Sequence, residues 1–75
     1  MKKFNGHRSW NAWNVSLWIT SDEYLNFIIN DMVQKGIKKR LIVRKLLAML
    51  DEKTPDGAKY NALSVGLVVD GYLNG

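Results

Sequence analysis

The chain has 75 residues, of which 47% are hydrophobic and 24% charged, with one proline and no cysteine; this is the balance of one compact domain, residues 1–75, with no room for a second. The absence of cysteine excludes disulfides, thiol catalysis, Cys-rich zinc sites and iron–sulfur clusters, and a single histidine, His7, makes an all-protein metal centre unexpected. Eleven basic and seven acidic side chains leave a net charge of +4, a bias toward polyanions or acidic protein surfaces.

The N-terminal residues lack the apolar run of a signal peptide, and no stretch approaches the roughly 18 apolar residues of a membrane helix, so a cytoplasmic product without membrane contact is expected. Ser9 is placed to cap a first helix over residues 10–19, where Trp10, Trp13 and Leu17 recur at helical spacing. Ala12, Val15 and Ile19 lie opposite them, with Asn11, Asn14 and Trp18 in the strip between. A helix apolar on two sides belongs in the middle of a bundle.

Thr20 followed by Glu23 fits a capping box for a second helix over 21–35. Its apolar stripe is Leu25, Ile28, Ile29, Met32 and Val33, its outward residues are Asn26, Asn30 and Gln34, and Gly36 is placed to end it in a left-handed conformation. The third helix, 38–51, sets Ile42, Val43, Leu46, Leu47, Met49 and Leu50 against a solvated face carrying Arg40, Arg44 and Lys45. Thr54 and Pro55 then read as cap and first helical residue of a fourth helix over 55–73, with Gly66 permitting close packing. On that reading Thr54→Ala costs about 1 kcal/mol through unpaired helix-end donors. The fold expected is all-α, a bundle of about four short helices.

Three tryptophans fall within nine residues, Trp10, Trp13 and Trp18. The default reading places all three in the core, since indoles bury large apolar areas. The alternative is a partner surface built from Arg8, Asn11 and Trp18, because tryptophan and arginine dominate binding hot spots. His7 and Ser9 lack a converging carboxylate and form no hydrolytic set, and Asn5–Gly6 and Gly57 form no phosphate loop. Neither catalysis nor a cofactor is expected. The cations from Lys35 to Lys45 suit phosphates but offer little that reads base edges, so a solvated face, an acidic protein and nucleic acid are all open as readings.

The run Asn5-Gly6-His7-Arg8-Ser9-Trp10-Asn11-Ala12-Trp13-Asn14-Val15-Ser16-Leu17-Trp18-Ile19, the pair Asp22–Glu23, and Thr54-Pro55-Asp56-Gly57-Ala58-Lys59-Tyr60 together resemble a family of small proteins encoded by tailed bacteriophages. The resemblance covers about a third of the chain and leaves out the lysine-rich middle. It carries no catalytic residue. What it implies is a phage accessory protein working in the host cytoplasm, which binds and inhibits or redirects a bacterial host or defence-system protein, CRISPR-Cas being one target class. Arg8, Asn11 and Trp18 are then the expected anchors, with Arg40, Arg44 and Lys45 as rim charges. A small basic nucleic-acid-binding protein is the alternative. Homo-oligomerisation is expected as well, because a core of this size rarely yields more than roughly 3–5 kcal/mol.

Overall fold

The computed structural model describes residues 9–74 and contains four helices: α1 (Trp10–Thr20), α2 (Glu23–Gln34), α3 (Lys39–Met49) and α4 (Ala62–Asn74). The all-helical bundle forms as the sequence predicts. Among the described residues no strand occurs, only an isolated antiparallel bridge between Lys53 and Lys59.

Ser9 caps α1 from an extended backbone, its hydroxyl accepting from the Ala12 N–H at 3.2 Å. The second cap differs from expectation. α1 continues through Thr20, whose hydroxyl turns back to donate to the Ser16 carbonyl, and Asp22 caps α2 by accepting from the Leu25 N–H at 3.0 Å. Asn26, expected to face outward, instead braces this corner: its amide donates to the Thr20 carbonyl at 2.6 Å and the Asp22 carbonyl at 3.0 Å, while Tyr72 donates to its Oδ1. At the other end of α2, Gly36 adopts φ 74°. Its N–H donates to the Val33 carbonyl and that of Ile37 to Met32, the paired bonds of a Schellman stop.

The fourth helix is shorter than the sequence suggests. Thr54–Gly57 closes a turn, the Gly57 N–H donating to the Thr54 carbonyl at 2.9 Å, and Gly57 takes φ 95°. A helix through 55–60 would require helical dihedrals there, but Pro-Asp-Gly is also a hairpin sequence, and the glycine decides the competition. Thr54 accepts from the Ala58 N–H at 3.0 Å, which makes it a loop cap, not a helix cap. α4 is capped by Asn61 instead: Asn61 Oδ1 accepts from the Ser64 N–H at 2.9 Å and Ser64 Oγ from the Asn61 N–H at 3.1 Å. This is a reciprocal box with serine in the usual glutamate place.

α4, not α1, is the hub, packing against each of the other three helices. Its inward residues Ser64, Val65, Gly66, Val68 and Val69 are short. The helix runs unbroken through Gly66, where a Cβ would lie 3.5 Å from the Lys39 side-chain stem as that stem crosses toward Asp70. Val15, Ile19, Ile29, Ile42, Leu46, Val65 and Val69 are fully buried in one aliphatic cluster. The indoles are not in it. Trp10 is 40% exposed, Trp18 36% exposed and Trp13 half-buried, which corrects the expectation that the tryptophans fill the core. The physical reason is that Ala12, Val15 and Ile19 take the buried side of α1, which packs on the short inward residues of α4.

Candidate functional site

The strip expected between the two apolar sides of α1 turns out to hold the 53–60 loop. Asn14 is buried, accepting from the Thr54 hydroxyl at 2.6 Å and donating to Asp56 Oδ2 at 2.9 Å. Trp18 Nε1 donates to the same carboxylate oxygen at 2.9 Å. Asn11 acts as a surrogate strand partner, accepting from the Lys59 N–H at 2.7 Å and donating to the Lys59 carbonyl at 3.0 Å. The hydrogen bonds from Asn14 and then Trp18 hold the Asp56 carboxyl below its ordinary pKa, against a small opposing effect of burial. The two longer segments that carry the resemblance are therefore each other's partners across 38 to 48 residues of sequence.

What this clasp leaves over is the third side of α1. Trp10, Trp13 and Leu17 follow one another at helical spacing on it, Trp10 and Leu17 exposed and Trp13 half-buried. Leu17 is 42% exposed. An aromatic-rich stripe of this kind suits a protein surface, because an indole supplies large contact area at little conformational cost.

A second candidate lies on α3. Arg40, Arg44 and Lys45 are exposed, as expected. Lys39, Arg40 and Arg44 border a groove of about 440 Å³ whose floor is Val43, Leu47 and Ala62. Lys39 pairs with Asp70 at 2.8 Å, whereas among the described residues no carboxylate pairs with Arg40 or Arg44. The helix that carries them begins badly: Lys38 occupies the cap position without a side-chain bond, and the first turn holds cations and no acid. A missing cap costs about 1 kcal/mol, and each cation at the positive end of the helix dipole costs a fraction of that. By contrast Ser9, Asp22 and Asn61 all cap their helices.

The residues expected to form one site are thus dispersed. Arg8, like His7, lies outside the described residues. Asn11 and Trp18 stand on the clasp side of α1, and Arg40, Arg44 and Lys45 on α3; both helices pack chiefly on α4, which separates the two groups. Missing from the sequence reading were Asp56, which holds the clasp together with Asn14, and Val43, Leu47 and Ala62 as a groove floor. Pro-Asp-Gly was the signal for the first; nothing in the periodicity distinguished Leu47 from an ordinary core residue. A further cleft bounded by Ser16, Thr20, Asn26, Asn30 and Tyr72 has its central amide, Asn26, fully engaged within the protein. Among the described residues no helix is long and apolar enough to cross a membrane.

The chain belongs to the family of unknown function DUF7249, whose profile matches residues 1–70. No curated protein and no solved structure matches it.

Proposed function

We propose that this DUF7249 protein is a small bacteriophage accessory factor that binds a bacterial host or defence-system protein and inhibits or redirects it, without catalysing a reaction itself. The observation that carries this reading is the Trp10–Trp13–Leu17 stripe, left outside a fully buried core that contains no aromatic residue. Such a stripe carries the composition of a binding hot spot. Asn11 and Trp18 adjoin it on the clasp face, Arg8 precedes it in sequence, and the cations of α3 accelerate encounter with an acidic partner.

Affinity capture from bacterial lysate tests it. The intact protein is expected to retain a discrete bacterial protein, and a Trp10→Ala/Leu17→Ala variant of unchanged melting temperature to release it faster, losing about 2 kcal/mol or more. Retention of the same partner by the folded variant overturns the proposal. Nucleic-acid binding is favoured by one observation, the exposed run Lys38, Arg40, Arg44 and Lys45. It predicts a steep fall of affinity for random duplex DNA with rising salt.

A further inference from the structure

We propose that the groove between α3 and the start of α4 receives an acidic amphipathic segment of the protein partner, a carboxylate lying on Arg40 and Arg44 and an adjacent bulky apolar side chain on Val43, Leu47 and Ala62. This inference rests on the protein-binding reading and assigns that partner's anchor a chemistry and a place.

Three features of the groove converge. The first is its floor, which is apolar and open to solvent along about 440 Å³. The second is the pair of guanidinium groups at its border. Arg40 and Arg44 are one helical turn apart and so stand on the same side of α3. Each presents the planar fork that grips a carboxylate through two bonds, and neither has an acidic partner among the described residues, although Lys39 beside them has Asp70. The third is the beginning of α3, where free N–H groups and the positive end of the dipole add to the same field because Lys38 supplies no cap.

Chain segments that combine acid with bulky apolar groups satisfy all three at once. A nucleic-acid backbone satisfies the last two and leaves the floor uncovered. Phosphates alone would also use Lys45 as readily as Arg44, since both are exposed on α3, yet only Arg44 borders the groove. The groove accordingly selects for a protein ligand.

The test is a selection of random peptides of about a dozen residues against the immobilised full chain, followed by titration of a labelled selected peptide into variants. Enrichment of sequences that place Asp or Glu within a helical turn of Leu, Ile, Phe or Trp is expected. Arg44→Glu and Ala62→Asp are expected to weaken the peptide by about tenfold or more, and Lys45→Glu by no more than about twofold. Ala62→Asp guards against a folding artefact, because an acid at the first position of α4 favours that helix while repelling a carboxylate from the groove.

Selection without acid–apolar pairs, or equal affinity for wild type and Ala62→Asp, overturns the inference. So does equal loss on Arg44→Glu and Lys45→Glu accompanied by competition from duplex DNA, the outcome expected of nucleic acid. In lysate capture the two proposals separate. If Ala62→Asp retains the bacterial partner and the Trp10/Leu17 variant releases it, the groove assignment falls and the protein-binding reading stands. If peptides bind in the groove but no bacterial protein is retained, the protein-binding reading falls and the inference with it, leaving the groove's preference for acid–apolar peptides as a chemical fact only.

Discussion

The clasp side of α1 and the opening turns of α3 are treated in opposite ways by the same chain. Asn11, Asn14 and Trp18 each hold an internal partner, and among the described residues no buried side-chain polar atom lacks one. Arg40 and Arg44 hold none, and the helix that bears them starts without a side-chain cap and with cations where acids belong. Polar residues committed inward explain the fold. Polar residues left uncommitted, at a cost in helix stability, mark where an external group is accommodated.

The largest expected effect is on the clasp. Asn14→Ala removes one neutral and one charge-assisted hydrogen bond and strands the buried Thr54 hydroxyl, a loss of about 3 kcal/mol by urea denaturation. Thr54→Val is expected to be costly for the same reason, and the double variant to lose much less than the sum of the two. Additive losses would show that the Asn14–Thr54 contact carries no energy of its own.

Glycine substitutions sharpen the contrast between the loop and the helices. Gly57→Ala meets nothing within 4 Å but must hold φ 95°, and is expected to cost about 1–2 kcal/mol. Gly71→Ala likewise meets nothing within 4 Å, but in a helix, and is expected to stabilise by up to about 1 kcal/mol. Equal signs for the two would contradict the turn geometry at Pro55–Gly57.

On the other region, Lys38→Ser supplies the cap that α3 lacks and removes a cation from its positive end, with an expected gain of about 1 kcal/mol in the denaturation midpoint. No gain would mean that the first turn is already satisfied. The smallest effect is acid sensitivity. Because the folded Asp56 pKa lies below its ordinary value, the stability it contributes is complete above about pH 4–5 and fades as pH falls through the lowered value. Asp56→Asn should flatten that part of the stability–pH curve, and an unchanged acid slope would detach Asp56 from the clasp.

Helix number, the Ser9 cap and the Gly36 stop were legible because each rests on chemistry within a few residues. The aliphatic stripes of α2 and α3 were legible from period alone. The errors share a cause: wherever a residue has a choice of partners, the decision is made far away in sequence. Thr54-Pro55 reads as a helix start until Gly57 and Asn14 are considered together. The indoles read as core until the buried residues of α4 are seen to be short. Of the candidate site, the exposed cations of α3 were visible in the sequence. Their apolar floor was not, since Ala62 joins Val43 and Leu47 only after the loop has folded back.

The position of α4 at the hub has a consequence for how the protein is made. α1, α2 and α3 all find their main or shared packing surface on a helix that begins at Ala62, and the clasp closes over a span of about forty residues. A nascent chain emerging at ~5–20 residues per second therefore presents three amphipathic segments with no common core until synthesis has passed Val69. Folding of nearly the whole domain then waits for α4 and takes the form of a single late collapse, and a ribosome stalled before Ala62 would hold a chain open to proteases and chaperones rather than a partly built bundle.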